Sequence, residues 1–159
     1  MRAPEPIRTE RLELVPVGRD VAAAVVAGDL SGLAAGAGWP HADTLDGLRL
    51  ALEHGGTLGW FVTLAGVVVG DCGTHGGEDA TGTVEIGYGL AGPYRGRGYA
   101  TELCRALTCW LLADPAVRAV VASTHGAANP ASRRVLEKSG FAYDRDEGEL
   151  AWYVRAQDP

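Results

Sequence analysis

Along Thr83–Leu90 the apolar positions Val84, Ile86, Tyr88 and Leu90 alternate with Glu85, Gly87 and Gly89, the period of two that marks a strand with unlike faces. Glycine inside a strand costs stability, so two on one face imply that something approaches that backbone closely: a ligand, a bulge or a neighbouring segment. Downstream the period changes. Leu103, Ala106, Leu107, Trp110 and Leu111 fall at i, i+3, i+4, i+7 and i+8, which predicts a helix that starts near Gly98 and buries this stripe. Arg95-Gly96-Arg97-Gly98-Tyr99-Ala100 joins the two. The first N–H groups of a helix lack intrahelical partners, and its dipole is positive at that end. Glycine lets a ligand come near the backbone, so the junction suits a phosphate, and Arg95 and Arg97 add charge. An ordinary strand–loop–helix connection with solvated arginines is the alternative.

The same periodicities place the other elements. Residues 7–17 read as an opening strand, with Leu12 and Leu14 on one face. Residues 20–28 read as a short helix with Asp20 at its N-cap and Gly28 at its end. Residues 30–40, rich in glycine and alanine, read as loop. Thr44 is placed to cap a second helix through His54, with Leu45, Leu48 and Leu52 as its buried stripe. Residues 57–64 and 67–72 form a hairpin around Ala65-Gly66, with His75 beyond its second strand and facing solvent, and a polar turn over 76–82. Three antiparallel strands would therefore precede Thr83. After Asp114-Pro115 the chain predicts a strand over 117–123, a helix punctuated by Asn129 at the N-cap, Pro130 at N1 and Gly140 beyond its end, and a closing hairpin of 141–145 and 149–154. Trp152 and Tyr153 are packing candidates on that hairpin.

Composition narrows the function classes. A chain of 159 residues is a single domain's length, 1–159, able to bury roughly 70% of its unfolded surface. A net charge of −6 argues against a nucleic-acid partner. There is no signal-like apolar stretch at the N-terminus and no run near the ~18 residues of a membrane span, so the expectation is a cytoplasmic protein without a membrane partner. Three cysteines, Cys72, Cys104 and Cys109, lack CxxC spacing, and Cys72 with His75 has no visible companion ligands, so neither disulfides nor a metal site are expected.

Arg95-x-x-Gly98-x-Ala100 after a strand resembles the coenzyme A pyrophosphate loop of the GNAT acetyltransferases. The run from Asn129 through Ser132, Leu136, Lys138 and Gly140 to Phe141 is similar to that family's second signature. Thr9-Glu10-Arg11-Leu12 resembles the opening of the branch that includes the ribosomal-protein N-terminal acetyltransferases. The resemblance implies an α/β (α+β) fold: a mixed, mostly antiparallel twisted sheet of about seven strands flanked by about four helices. It implies a splay between the fourth strand, ending at Leu90, and the fifth, ending near Ser123, where pantetheine lies. Acetyl-CoA is then the co-substrate, and its contacts fall on Leu90, Arg95, Gly96, Arg97, Gly98, Tyr99, Ala100, Thr101, Asn129 and Ser132.

For catalysis the resemblance gives the Leu90 N–H to the acetyl carbonyl and Glu85 to the amine as general base through water. An exposed strand carboxylate is the plain alternative for Glu85. Many members carry a tyrosine where this chain has Leu136, so the thiolate's acid does not carry over. Ser132 stands on the inward helical face as a thiol partner, unless it only bonds the helix terminus. Trp39 and His41 stand at the entrance to the acceptor wall, where a partly buried tryptophan and a surface histidine are the alternatives. The acceptor is a primary amine. Presenting a lysine amine neutral at pH 7 costs about 4.6 kcal/mol against about 1 for an α-amine, so a peptide N-terminus or a small amine of low pKa is chemically easier. A non-catalytic acyl-CoA sensor and a transferase of longer acyl groups remain open, as does a homodimer.

Overall fold

The computed structural model describes residues 1–126 and 128–157. In chain order these residues form β1 (Ile7–Arg8), β2 (Leu12–Pro16), α1 (Arg19–Val26), α2 (Ala42–His54), β3 (Trp60–Leu64), β4 (Val67–Thr74) and β5 (Thr83–Leu90). There follow α3 (Tyr99–Leu112), β6 (Ala119–His125), α4 (Pro130–Lys138), β7 (Ala142–Glu147) and β8 (Leu150–Ala156). The strands form one mixed sheet in the order β1-β2-β3-β4-β5-β6-β8-β7. Every neighbouring pair is antiparallel except β5 and β6. A parallel pair needs a crossover, and α3 supplies it.

The sheet has eight strands because the predicted opening strand is two. The chain reverses after Arg8, pairing Ile7 with Leu14 and Arg8 with Glu13. Thr9 closes this turn: its backbone N–H donates to the Leu12 carbonyl (2.9 Å) and its Oγ1 accepts from the Leu12 N–H (2.9 Å). Glu102 of α3 then accepts from the Thr9 hydroxyl (2.5 Å) and the Arg11 N–H (2.7 Å). The alternation of residues 7–17 carries no sign of that distant carboxylate.

Two further expectations change at helix starts. Gly18, not Asp20, is the N-cap of α1, and Asp20 sits in its first turn, where a negative charge suits the dipole. His41, not Thr44, is the N-cap of α2. Thr44 lies one turn in and is buried, because its hydroxyl is used on the sheet below.

The two faces of the sheet pack differently. On one, Leu12, Leu14, Trp60, Val62, Val84, Ile86 and Leu90 meet Leu103, Leu107, Trp110 and Leu111 of α3. Trp60 and Trp110 meet edge to face at 5.2 Å. On the other, Ala22, Val25 and Leu48 of α1 and α2 cover Phe61, Val68 and Ala91, with Trp39 among them.

β5 and β6 pair only from Thr83↔Ala119 to Glu85↔Val121, while β6 stays paired with β8 as far as His125. Hydrogen bonds from His75 N to Glu85 O and from Ala91 N to Val69 O, both 2.9 Å, show that the odd positions of β5 bond to β4. The N–H groups of Tyr88 and Leu90 therefore turn toward β6 and find no ladder partner there. This is the expected splay, at strands five and six of the observed count.

Candidate active site

Past the open end of β5 the chain makes a short 3₁₀ turn over Gly92–Tyr94 and enters α3. Gly98 is the N-cap of α3 with φ 84°, and no side chain caps the helix. Gly96 has φ 74°. Both lie in the left-handed region that glycine adopts without penalty. The first amides of a 14-residue helix thus face outward. Tyr99, Ala100 and Thr101 form the first turn, half-buried, and Arg97 is exposed beside it. Arg95 folds back, its Nε donating to the Leu90 carbonyl (2.9 Å). That bond ties the loop to the strand end and leaves the Leu90 N–H directed into the splay.

Arg11 braces the same loop from outside. Its Nη1 donates to the Arg97 carbonyl (3.0 Å), its Nε pairs with Glu102 (2.7 Å), and its guanidinium lies 4.5 Å over the Tyr99 ring. Burial pushes the Glu102 carboxyl up, but bonds from Thr9, the Arg11 N–H and the Arg11 guanidinium outweigh it and hold the group below its ordinary value.

Across the splay, Asn129 caps α4 by accepting the Ser132 N–H at 3.0 Å. The capping is done by the asparagine, so the Ser132 hydroxyl is free to face β5, where it lies 3.5 Å from the Tyr88 hydroxyl. Burial pushes the Tyr88 phenol well up, with the charge of Cys104 acting in the same direction and the Ser132 contact opposing it. The phenol therefore holds its proton at neutral pH.

On the α1–α2 side, the glycine strip of β5 is covered by two histidines. A Cβ on Gly87 would lie 2.9 Å from His75 Nε2, and one on Gly89 would lie 2.7 Å from His41 Nε2. The close approach that the glycines imply is thus made by imidazoles. They border a cavity of about 320 Å³ that is also lined by Asp43, Thr44, Asp71 and Thr57. His75 is exposed as expected, but its Nδ1 lies 3.1 Å from Glu85 Oε1. Glu85 is half-buried beyond the end of the cavity. Trp39 does not line the cavity; it is buried behind it against Phe61, its Nε1 donating to Asp71 Oδ2 (3.1 Å). Thr44 Oγ1 donates to the same oxygen (2.5 Å) and also bonds His41 Nδ1. Burial pushes the Asp71 carboxyl up, and the bonds from Thr44 and Trp39 only partly offset it.

Thr44, Asp71, His75, Arg11 and Glu102 thus join the site without having been singled out for it. Tyr88 had a signal in sequence, since it stands between the two glycines of the strip. The others come from separate elements and meet only in the fold.

Residues 11–142 match the family described as acetyltransferase (GNAT) domain. The Bacillus subtilis protein YjdG, named as an uncharacterized N-acetyltransferase, is 26% identical over 125 residues, 73% of this chain and 74% of its own. The ribosomal-protein α-N-acetyltransferase RimL, solved with coenzyme A, superposes with a TM-score of 0.70 at 19% identity, covering 96% of this chain and 98% of that one. The aminoglycoside acetyltransferase AAC(6')-Ib, solved with coenzyme A and kanamycin, gives a TM-score of 0.67 at 20% identity over 92% and 95%. These two likenesses are of fold, and they agree with the domain match over most of the chain: this protein belongs to the GNAT acetyltransferases.

Proposed function

We propose that the protein transfers the acetyl group of acetyl-CoA directly to a primary amine, an N-terminal α-amine or a compact small-molecule amine, in a ternary complex. The observation that carries this reading is the Leu90 N–H, left without a ladder partner where β5 parts from β6. It lies between an uncapped helix terminus suited to pyrophosphate and a cavity bordered by Asp43, Asp71 and two histidines. Arg95, Gly96, Arg97, Gly98, Tyr99, Ala100 and Thr101 hold the pyrophosphate, with Asn129 and Ser132 across the splay.

A donor aimed at the thioester oxygen stabilises the charge that develops there as the amine attacks. The C–N bond forms, the C–S bond breaks, one amine proton goes to solvent and the thiolate gains another. Ser132 and the protonated Tyr88 supply the thiolate side. Glu85 and His75 form a carboxylate–imidazole pair at the outer end of the strip. The acidic groups attract a cationic acceptor, and the cavity admits a single residue or a small amine.

The test is an amine screen with acetyl-CoA, read as thiol release and acetylated product by mass spectrometry. Free N-terminal peptides and kanamycin, which RimL and AAC(6')-Ib bring to mind as acceptor chemistries, are included. The expected result is stoichiometric thiol and N-acetylated amine. Tight acetyl-CoA binding with no transfer to any amine overturns the reading in favour of a sensor.

A further inference from the structure

The geometry points to His41 as the catalytic base that takes the amine's proton, held in one tautomer by Thr44 and Asp71. This rests on the acetyl-transfer reading above and assigns a role within it. Thr44 has one hydroxyl proton, and it is donated to Asp71 Oδ2. The bond between Thr44 Oγ1 and His41 Nδ1 must then run from the ring, with Nδ1–H donating and the hydroxyl oxygen accepting. Nε2 is left as a bare lone pair. That atom is the one poised over Gly89, 2.7 Å from where a Cβ would stand, one residue from the Leu90 N–H.

Glu85 cannot occupy this place. Four residues along a strand span roughly 14 Å, and its carboxylate is turned to His75. The absence of a side chain at Gly89 gives the His41 ring its room. When Nε2 accepts a proton, the new imidazolium faces Asp71, 4.0 Å from Nδ1, and the Thr44 bridge spreads the charge toward that carboxylate. The charged groups around His41 are Asp71 from β4 and Asp43 from α2, with Glu85 of β5 and its partner His75, just beyond β4, farther out. None of these carboxylates bonds Nε2. The step balances: the ammonium gives one proton to Nε2, which passes it to solvent, and the neutral amine attacks the thioester carbon as C–S breaks. The second amine proton replaces the one delivered to the thiolate. Thr44 and Asp71 act through the ring and are positioning residues.

Two measurements test this. Long-range proton–nitrogen correlation spectra of the free protein read the tautomer with no acceptor present. Wild type should show protonated Nδ1 and bare Nε2, Thr44→Val should lose that preference, and Thr44→Ser should restore it. A ring protonated at Nε2 overturns the inference whatever the rates show. With kanamycin or a free N-terminal peptide as acceptor, His41→Gln should lower kcat by about 100-fold or more with acetyl-CoA affinity unchanged, the deficit shrinking as pH rises. Glu85→Gln should cost less than about tenfold. His41→Asn, checked by melting temperature, guards against a folding defect in the glutamine variant. If the Glu85 variant loses as much as the His41 variants, the base is Glu85 and this inference fails while the acetyl-transfer reading stands. A wild type that acetylates neither amine fails that reading, and the base assignment with it.

Discussion

Glu102 shows how much a single side chain decides here. It closes the β1–β2 turn through Thr9, holds Arg11 against the glycine-rich loop before α3 and sits in the first turn of α3, where negative charge is favourable. Its folded pKa is depressed below the ordinary 4.5. Such a carboxylate contributes stability above its unfolded pKa, and that contribution is lost as pH falls through the folded value. Glu102→Gln should therefore melt lower than wild type at neutral pH, with the two curves converging as pH falls through the folded pKa, where both states bind the proton. Melting temperatures across that range check it; a constant gap would mean that shape rather than charge does the bracing. The residues that sequence reading names and those it misses differ at this scale for a physical reason. Gly98 and Asn129 act on their own backbone neighbours, so local pattern reveals them. Thr44 looks like a helix cap because Ser and Thr usually serve there, yet a half-buried aspartate on β4 competes for its hydroxyl and wins.

At the scale of elements, the junction of β5 and α3 is specified twice, by the change of period from two to 3.6 and by left-handed glycines. A side chain at Gly98 would be strained at φ 84° and would come within 3.3 Å of the Arg11 guanidinium. Gly98→Val is expected to weaken acetyl-CoA binding by about tenfold or more while the protein still folds, as calorimetry on the folded variant would show. Undiminished affinity would remove the loop from the coenzyme site. The helix α4 was equally legible, since Asn129, Pro130 and Gly140 punctuate it with local chemistry. By contrast, the reversal inside residues 7–17 was hidden. Its alternation suits one strand or two, and Glu102, far along the chain, selects two.

For the whole molecule, the sheet behaves as two wings joined by three register pairs between β5 and β6. The open half of that seam leaves the Leu90 amide without a ladder partner. Hydrogen exchange should find this amide poorly protected in the free protein and clearly slowed when acetyl-CoA is added, whereas amides of Ala91 and Val84 change little. Equal protection at Leu90 with and without coenzyme would place the thioester oxygen elsewhere.

The sequence by itself determined most of the elements and the glycine-rich junction of β5 and α3, and its motifs carried the family resemblance. The elements and the junction rest on period, on glycine's freedom at positive φ and on capping, all of which act within a few residues. It also marked the glycine strip as a place of close approach. Only the tertiary structure decided what approaches it. His41 comes from the start of α2, Asp71 from β4 and His75 from beyond β4, and the hydrogen bonds that orient them cross between elements whose local patterns are independent of one another. Proton position in the His41 ring follows from where Thr44 spends its single hydrogen, a matter of tertiary partners.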